Sequence, residues 1–430
     1  MSKVLEIAQS LGHKIDRTHC PPSGHLDTWV KLTRTPAKHD DLGNVVKLPT
    51  AVCSRHNLAI ILENDPKYES LQYCVQSDRV LYNGAMIEPC DIEQIALDLE
   101  RDYRLKTKDT FLVGCIIRVA NQNRVEPIRE WLESLPPWDA QTDTPRISGM
   151  FGTRWGVEIP HGTKPFYDML AVRFMVSLVA RIMQPGCDVH TVLTLVGAKG
   201  LGKSRVLRAL AGQTWFSDSN INITNKSAYE LIHQSLVWVW ELAEMHALHG
   251  RSANNAKMFL TSPADRYRPT WGKTPVLRKR RTVFVATTND MQFLTDGPER
   301  RFWPLQIVRP VDVDWVAQNR VDLFREAVHH YNTGMQWHLT PTEAAELERI
   351  QHAYIVADPW AVTAQHVLQA ANGPNANPDR PATTDTILDA LDVPMHQRHV
   401  GHNRRISQVC RDLGYRIKQT KTGRVWVQND

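Results

Sequence analysis

The chain has 430 residues, of which 42% are hydrophobic and 23% are charged, and its formal net charge is +5. This length accommodates about three domains, and the composition is that of an ordinary globular protein rather than a disordered one. The sequence offers no apolar run near the roughly 20 residues that cross a bilayer, and its amphipathic, acid-containing start predicts neither a secretory signal nor a transit peptide. Its seven scattered cysteines contain no Cys-x-x-Cys pair, which favours reduced thiols over disulfides or a cysteine zinc site.

The first folded segment is predicted at residues 36–140. Leu71–Val75 and Val80–Tyr82 are two short apolar runs separated by polar residues, a pattern typical of a β-hairpin. Apolar residues then recur at helical spacing over Asp91–Tyr103 and Lys108–Gln122. The segment is therefore predicted to be a small α+β domain.

The strongest signal in the chain lies in residues 191–212. Thr191–Val196 is apolar and β-branched, which predicts a buried parallel strand, and apolar residues recur at helical spacing after Ser204. The residues between fit G-x-x-x-x-G-K-[ST] at every position. A glycine turn that opens a helix directs backbone N–H groups and the helix dipole at an anion. The predicted ligands of ATP are Gly197, Gly200, Gly202, Lys203 and Ser204, with Ser204 also binding Mg²⁺.

Two acids follow the next apolar run. Leu236–Trp240 predicts a strand, Glu241 comes directly after it, and Glu244 lies three residues further on. An acid at the carboxyl end of a parallel strand lies where ligands bind in open α/β sheets. One carboxylate, Glu241 in the first instance, is expected to hold Mg²⁺, and the other to polarise the attacking water. The alternative is that both are helix-capping or surface acids.

A third apolar strand, Thr282–Thr288, ends in Asn289. An amide at this position could contact the γ-phosphate of a nucleotide, although an Asn-Asp pair is also a common turn. Arg300 and Arg301 follow in an otherwise apolar setting. Paired arginines suit the charge that develops on a transferring phosphoryl group.

The densest basic segment of the chain lies between the second and third strands. Residues 266–281 contain seven lysines and arginines and no acid, and they can be drawn as a hairpin with Lys273 near its tip. Basic and aromatic side chains together are suited to neutralising phosphates and stacking on bases. The predicted nucleic-acid contacts here are Arg268, Trp271, Lys273 and Arg278. The alternative is a solvated charged loop.

The last 50 residues form a small basic segment. Helices are predicted at Thr384–Leu391 and Arg404–Leu413, followed by a pair of strands. This order looks like a winged helix, with Arg404 and Arg405 contacting DNA phosphates. A basic structural cap or a subunit-contact domain is the alternative.

The order of these motifs resembles the virulence-associated protein E family, which comprises P-loop ATPases of phages, prophages and mobile genomic islands. These proteins are similar to superfamily 3 helicases within the AAA+ class. The resemblance rests on the phosphate loop followed by four motifs, Trp240-Glu-Leu-Ala-Glu244, Asp265-Arg-Tyr-Arg-Pro269, Val285-Ala-Thr-Thr-Asn289 and Glu299-Arg-Arg-Phe-Trp-Pro304. Two departures are that Thr270-Trp271-Gly272 stands where Pro-Tyr-Gly is more usual, and that the first segment lacks a primase-like carboxylate cluster.

The resemblance implies a role for each matching residue. Lys203 and Ser204 would be the Walker A residues, Glu241 and Glu244 the Walker B acids, and Asn289 the sensor. By the same resemblance, Arg300 or Arg301 would complete a neighbouring subunit's site, which implies a ring, most simply a hexamer. The basic segment would be a DNA-tracking hairpin with Lys273 in the pore.

The predicted fold class is α/β, with a central AAA+-like P-loop ATPase domain flanked by an N-terminal α+β domain and a C-terminal winged-helix-like domain. The predicted segments are an arm (1–35), the α+β domain (36–140), the ATPase domain (146–370), a linker (371–383) and the winged-helix-like domain (384–430). The expected function is that of an ATP-dependent replicative DNA helicase in the cytoplasm of a bacterial host, using ATP and Mg²⁺ on single-stranded or origin DNA, with no membrane association. If priming is needed, a separate primase or other replication protein would supply it. Two alternatives are a replication initiator that uses ATP as a switch and a mobile-element interference or defence ATPase.

Overall fold

The computed structural model of the chain divides into two compact units, the first made of Met1–Asn289 with Arg301–Ala344 and the second of Asp290–Arg300 with Ala345–Asp430. The structure describes residues 32, 33, 35, 36, 38, 39, 41, 45–47, 52–221, 227–244, 253–268, 274–294, 297–356, 358–373, 381–420 and 423–429.

Fourteen α-helices lie in the described residues, and none of them is long and apolar enough to span a bilayer. They are α1 (Arg55–Asn64), α2 (Pro89–Tyr103), α3 (Asp109–Ala120), α4 (Pro127–Ser134), α5 (Met150–Thr153), α6 (Lys164–Met183), α7 (Lys203–Ala211), α8 (Ser227–Gln234), α9 (Ala253–Thr261), α10 (Val313–Asn332), α11 (Pro341–Gln351), α12 (Ala361–Asn372), α13 (Thr384–Ala390) and α14 (Val400–Asp412).

The described strands form five sheets. They are β1 (Lys38–His39), β2 (Val45–Lys47), β3 (Gln72–Cys74), β4 (Arg79–Tyr82), β5 (Ala85–Met86), β6 (Arg124–Val125), β7 (Val192–Val196), β8 (Phe216–Ser217), β9 (Val239–Ala243), β10 (Ala264–Tyr267), β11 (Val276–Lys279), β12 (Val283–Thr288), β13 (Phe302–Gln306), β14 (Tyr415–Thr420) and β15 (Gly423–Gln428).

The first part of unit 1, residues 52–134, is called the N-terminal block below. Its sheet has the order β5-β4-β3-β6, and the predicted hairpin is confirmed by antiparallel pairing of β3 with β4. Helices α1, α2 and α3 bury a shared apolar core against this sheet, with Leu58, Leu99 and Leu112 fully excluded from solvent. The two helices predicted over Asp91–Tyr103 and Lys108–Gln122 are confirmed as α2 and α3, and α1 is an additional helix that precedes them.

The centre of unit 1 is a five-stranded parallel sheet of order β13-β7-β12-β9-β8, so the chain is a mixed α/β protein, as the strand patterns predicted. Every residue of β7 and of β12 is buried, because strands in the middle of a parallel sheet are covered on both faces. From β7 the chain crosses to the far edge at β8 and returns through β9 and β12. It then passes to the other side of β7 at β13. The carboxyl ends of β7, β9 and β12 therefore lie at one edge of the sheet.

An aromatic cluster joins the N-terminal block to this sheet. Trp131 of α4 lies with its ring centroid 5.4 Å from Trp215 and 5.3 Å from Phe324 of α10, in edge-to-face geometry, and Trp238 is 6.2 Å from both tryptophans. Edge-to-face pairs of this kind place the positive edge of one ring on the negative face of another. The block is thus held to the parallel-sheet region of unit 1 by side-chain packing.

Arg320 of α10 is inserted into the same cluster. Its guanidinium lies 4.0 Å from the ring centroid of Trp131 and donates hydrogen bonds of 2.8 Å to the carbonyls of Leu210 and Ala211. These carbonyls end α7, where a cation favourably meets the negative end of the helix dipole. Burial lowers the pKa of Arg320 to about 10.

Residues 136–145, which span the predicted boundary between the α+β domain (36–140) and the ATPase domain (146–370), lie against α10. Arg325 donates hydrogen bonds to the carbonyls of Pro136 and Pro137, at 3.0 and 2.6 Å, and forms an ion pair of 2.8 Å with Asp143. The segment is thus fixed by charge-assisted hydrogen bonds, and the domain boundaries themselves stay predictions.

Unit 2 contains the C-terminal helices and a β-ribbon. Helices α13 and α14 confirm the two predicted helices, and β14 pairs with β15 in antiparallel register from Tyr415↔Gln428 to Thr420↔Gly423. Trp426 of β15 is buried in an apolar core with residues of α12, α13 and α14. The described part of the predicted linker, residues 371–373 and 381–383, flanks residues that lie outside the described chain.

Candidate nucleotide-binding site and basic ribbon

The glycine loop, residues 197–202, connects β7 to α7 at the carboxyl edge of the parallel sheet. Gly197 donates its N–H to the carbonyl of Thr288 at 3.1 Å, and a Cβ at this position would lie 2.4 Å from the carbonyl oxygen of Ile307. Gly202 has φ +93°, which a residue with a side chain rarely adopts, and it begins α7. Only glycine therefore suits both ends of this loop.

Lys203 turns back over the loop from the first position of α7. Its ammonium donates to the carbonyls of Gly197 and Ala198, at 2.6 and 2.9 Å, and to Oδ1 of Asn289 at 3.0 Å. The side chain is buried, and this burial lowers the pKa of Lys203, with the charge of Glu241 acting in the opposite direction. A desolvated ammonium held beside loop carbonyls is a ready partner for an anion.

Ser204 and Glu241 meet beside Lys203. The Ser204 hydroxyl donates to Oε1 of Glu241 at 2.7 Å, and the Thr287 hydroxyl donates to the same oxygen at 2.5 Å. Glu241 is only 2% exposed, and its Oε2 is buried without a hydrogen-bond partner among the described residues. A buried carboxylate with one unsatisfied oxygen next to a serine hydroxyl is an oxygen-ligand pair suited to a hard cation.

The position of Glu241 corrects the sequence prediction. The acid was predicted to follow the end of a strand at Leu236–Trp240, but β9 extends over Val239–Ala243 and has Glu241 at its centre. The strand continues because its ladder with β12 runs to Ala243, opposite Thr287, and two hydroxyls stabilise the buried carboxylate. It is Glu244 that follows the strand end. It is exposed, has φ +57°, and its N–H donates to the carbonyl of Thr287 at 2.7 Å.

Asn289 lies where the third strand predicted it. It follows β12, whose last residue, Thr288, pairs with Val196 of β7, so its amide reaches Lys203. The two arginines lie elsewhere. Arg301 precedes β13, and its carbonyl accepts from the N–H of Val192 at the amino end of β7, a strand length away from the glycine loop. Arg300 is exposed and belongs to unit 2.

The basic segment forms a two-stranded antiparallel ribbon, β10 with β11, called the basic ribbon below. The predicted contacts Trp271 and Lys273 lie outside the described residues, and Arg268 is exposed at the end of β10. Arg278 has a carboxylate partner: its Nε donates to Oδ2 of Asp78 at 2.5 Å. The ribbon confirms the arms of the predicted hairpin, whereas contact with nucleic acid stays a prediction.

The two basic residues predicted for unit 2 differ in their surroundings. Arg404 is an exposed residue of α14. Arg405 forms a bidentate ion pair with Asp358, with both N–O distances 2.8 Å, and its guanidinium lies 4.0 Å from the ring centroid of Trp360. Hydrogen bonds from Arg405 lower the pKa of Asp358 although burial acts to raise it. Arg405 thus has a structural partner that phosphate would have to displace.

Sequence reasoning missed two residues of these sites. Thr287 donates to Glu241, and the signal for it was the pair of threonines, Thr287 and Thr288, that ends an otherwise apolar strand. Asp78 pairs with Arg278, 200 positions away, and no local pattern could reveal that contact.

Sequence comparison agrees with the motif order. The virulence-associated protein E-like domain matches residues 132–356, more than half of the chain, and this match includes the glycine loop, Glu241, Asn289 and the basic ribbon. The chain belongs to the virulence-associated protein E-like family. The N-terminal block and the C-terminal helices lie mostly outside the family match.

Comparison of this virulence-associated protein E-like chain with curated proteins gave no match. Among solved structures it is similar to two apo structures of the NrS-1 C terminal region. One has 12% sequence identity and a TM-score of 0.40, and the other has 9% identity and a TM-score of 0.41. In both cases the similarity covers 83% of this chain and 94% of the other. Likeness at this level is too remote to bear on function.

Proposed function

We propose that this virulence-associated protein E-like protein is an ATP hydrolase that drives movement along single-stranded DNA, as a helicase of the replicative type. The observation that carries the proposal is the convergence of Lys203, Ser204, Glu241 and Asn289 at the carboxyl edge of the parallel sheet. A strand, a glycine loop and a helix N-terminus at that edge form an anion site.

Lys203 is the residue that would neutralise the negative charge of the phosphates. Its ammonium now bonds to the carbonyls of Gly197 and Ala198, and phosphate oxygens are stronger acceptors for a buried cation. Exchange of these carbonyls for the β- and γ-phosphates of ATP leaves Asn289 as the remaining contact of Lys203. The amide of Asn289 is thereby placed to sense whether the γ-phosphate is present.

Ser204 and Glu241 are the residues that would hold Mg²⁺. The unsatisfied, buried Oε2 of Glu241 and the adjacent serine hydroxyl fit a hard divalent cation with oxygen ligands. Bound there with ATP, Mg²⁺ would neutralise charge on the phosphates. Thr287 fixes the carboxylate through its hydroxyl.

Glu244 is the acid assigned to the attacking water. It is exposed just past β9, on the same edge of the sheet as the glycine loop. An exposed carboxylate can orient a water and accept its proton, as a general base does.

Arg301 lies at the amino end of β7, whereas the glycine loop lies at the carboxyl end of that strand. Arg301 is therefore too far away to contact a nucleotide bound by its own chain, which supports the assignment of Arg300 or Arg301 to a neighbour's site in a ring.

The ATPase rate with and without single-stranded DNA tests the proposal. We expect DNA to stimulate hydrolysis by the wild type, and Lys203→Ala to lower kcat by about 10²–10³-fold, the usual effect of removing one charge-stabilising donor. Lys199→Ala is the matched control, because Lys199 is an exposed lysine of the same loop. A rate that is insensitive to DNA, or equal losses in both variants, would contradict the proposal.

A second candidate is a replication initiator that uses ATP only as an assembly switch. The exposed Arg404 on α14, beside the antiparallel ribbon of unit 2, favours duplex binding of this kind. Strand displacement separates the two functions, since an initiator of this type hydrolyses ATP without processive unwinding.

A further inference from the structure

The basic ribbon has two chemically different faces. Side chains alternate along a strand, so Asp265, Tyr267 and Arg278 lie on one face and Arg266 and Lys279 on the other. Burial follows the same alternation: Asp265 and Tyr267 are buried, whereas Arg266 and Lys279 are exposed. The first set is called the inner face and the second the outer face.

Asp265 anchors the inner face to His233 and Arg280. This carboxylate accepts two hydrogen bonds of 2.7 Å from Arg280, which is fully buried, and lies 3.0 Å from Nε2 of His233. The His233 ring stacks on Tyr267 with an interplanar angle of 6°. Breaking a buried ion pair by removing one partner is costly, so the base of the ribbon is rigidly held.

The other anchor of the inner face comes from the N-terminal block. Asp78, in the turn between β3 and β4, accepts from the hydroxyl of Tyr267 at 3.0 Å and from Nε of Arg278 at 2.5 Å. Its second oxygen accepts from Tyr73 of β3 at 2.7 Å. The Asp78 side chain is 6% exposed, so these bonds are shielded from water.

A second ion pair from the N-terminal block neutralises another arginine of the segment. Arg281, directly after the ribbon, donates to Glu126 at 2.9 Å. Three of the seven basic residues, Arg278, Arg280 and Arg281, therefore already have carboxylate partners. Arg266 and Lys279 have none among the described residues, and Arg268 is exposed beside them.

We propose that Asp78 is a positioning residue for the basic ribbon: it fixes the inner face to the N-terminal block, so that Arg266 and Lys279 of the outer face contact the phosphates of single-stranded DNA. The partner is argued from charge, because the outer face carries cations and no acid, with Leu277 exposed between them. This inference rests on the proposed function, and it gives the N-terminal block a role in DNA binding.

The test is binding of a labelled oligo-dT to the full chain without ATP, measured over a range of salt. A plot of log K for binding against log salt concentration has a negative slope. Removing one phosphate contact to single-stranded DNA reduces the magnitude of that slope by about 0.7. We expect that change for Arg266→Ala and for Lys279→Ala. Lys106→Ala, a control that removes one lysine charge from the N-terminal block at a side chain 87% exposed, should leave the slope unchanged.

A double-mutant cycle between Asp78→Asn and Arg266→Ala tests the positioning role. The two side chains lie on opposite sides of the ribbon, so independent effects on DNA affinity should add. We expect Arg266→Ala to cost less affinity in the Asp78→Asn background, because the outer face is no longer held in place. Tyr267→Phe, which removes a single hydrogen bond to Asp78, provides the same cycle should Asp78→Asn fail to fold.

Each outcome has a distinct meaning. Additive effects, an unchanged slope for Arg266→Ala, a slope change for Lys106→Ala, or no salt-dependent binding by the wild type overturns the inference. If the slopes and the coupling between Asp78→Asn and Arg266→Ala are as expected but DNA does not stimulate ATP hydrolysis, the ribbon assignment is upheld and the proposed translocation along DNA is overturned. A DNA-stimulated ATPase with slopes that contradict the assignment would do the reverse.

Discussion

Glu241 combines deep burial with an unsatisfied oxygen, and hydrolysis should depend sharply on its charge. We expect Glu241→Gln to bind ATP but to lower kcat by about 10²–10³-fold, because the substitution keeps the shape and removes the charge that would hold Mg²⁺. Nucleotide binding by fluorescence and phosphate release by a coupled assay measure the two effects separately.

Thr287→Val is the companion variant for this prediction. It keeps the carboxylate and removes only the hydroxyl that donates to it, so it should lower kcat less than Glu241→Gln does. Wild-type turnover by Glu241→Gln would show that this carboxylate plays no part in hydrolysis.

For single residues, the sequence was most informative where a predicted site is made of residues that are close together along the chain. Gly197, Gly202, Lys203 and Ser204 form one local motif, and the structure places them around one loop. Arg278 is the opposite case. Its basic character suggested DNA, but its partner comes from a distant turn, and only the folded chain brings the two together.

At the scale of elements, the base of the basic ribbon should be sensitive to acid. Burial alone would raise the pKa of the Asp265 carboxyl, but hydrogen bonds from His233 and Arg280 outweigh it, and the pKa lies below its ordinary value. A carboxyl whose pKa is lowered on folding stabilises the fold above its unfolded pKa of about 3.9, and that contribution is lost as pH falls through the folded pKa.

The free energy of unfolding measured in urea at about pH 6 and about pH 3 tests this. Asp265→Asn should destabilise unit 1 by about 3–5 kcal/mol near neutral pH, since it leaves Arg280 buried without a counter-charge. The difference from wild type should shrink in acid. Asp188→Asn is the control, because that side chain is 66% exposed, and an equal loss in both variants would contradict the assignment.

Strand limits show why element boundaries were harder to predict than element types. The apolar run to Trp240 predicted a strand, and β9 is a strand, but it begins and ends later than the run does. Its end is set by pairing with β12 and by two hydroxyls that stabilise Glu241, and neither is visible in local hydropathy. The antiparallel ribbon of unit 2 was easier, because its pairing is between adjacent segments.

At the scale of the whole molecule, assembly can be tested through the arginine assigned to a neighbouring site. We expect Arg300→Ala to bind ATP and to lose hydrolysis by about 10³-fold, the lower end of the range for an arginine finger. Mixing it with Lys203→Ala should recover part of the activity, because some interfaces then combine an intact loop with an intact arginine.

Sedimentation of the two variants before mixing provides the control for this experiment. Both should assemble as the wild type does if the substitutions act only on chemistry. Recovery of no activity on mixing, with assembly intact, would contradict a site shared between subunits. Arg309→Ala is the matched control for Arg300→Ala. Arg309 donates to the carbonyl of Gly152 in its own unit at 2.9 Å and is not assigned to a neighbouring site.

The tryptophan cluster has an optical consequence. Trp131 belongs to the N-terminal block, whereas Trp215 and Trp238 belong to the parallel-sheet region, and their rings lie 5.4–6.2 Å apart. Indoles fixed at such distances in an asymmetric setting give near-ultraviolet circular dichroism, which vanishes when tertiary packing is lost while the far-ultraviolet signal persists. The chain thus carries three clustered indole chromophores that report, without any label, whether the block that holds the basic ribbon is docked.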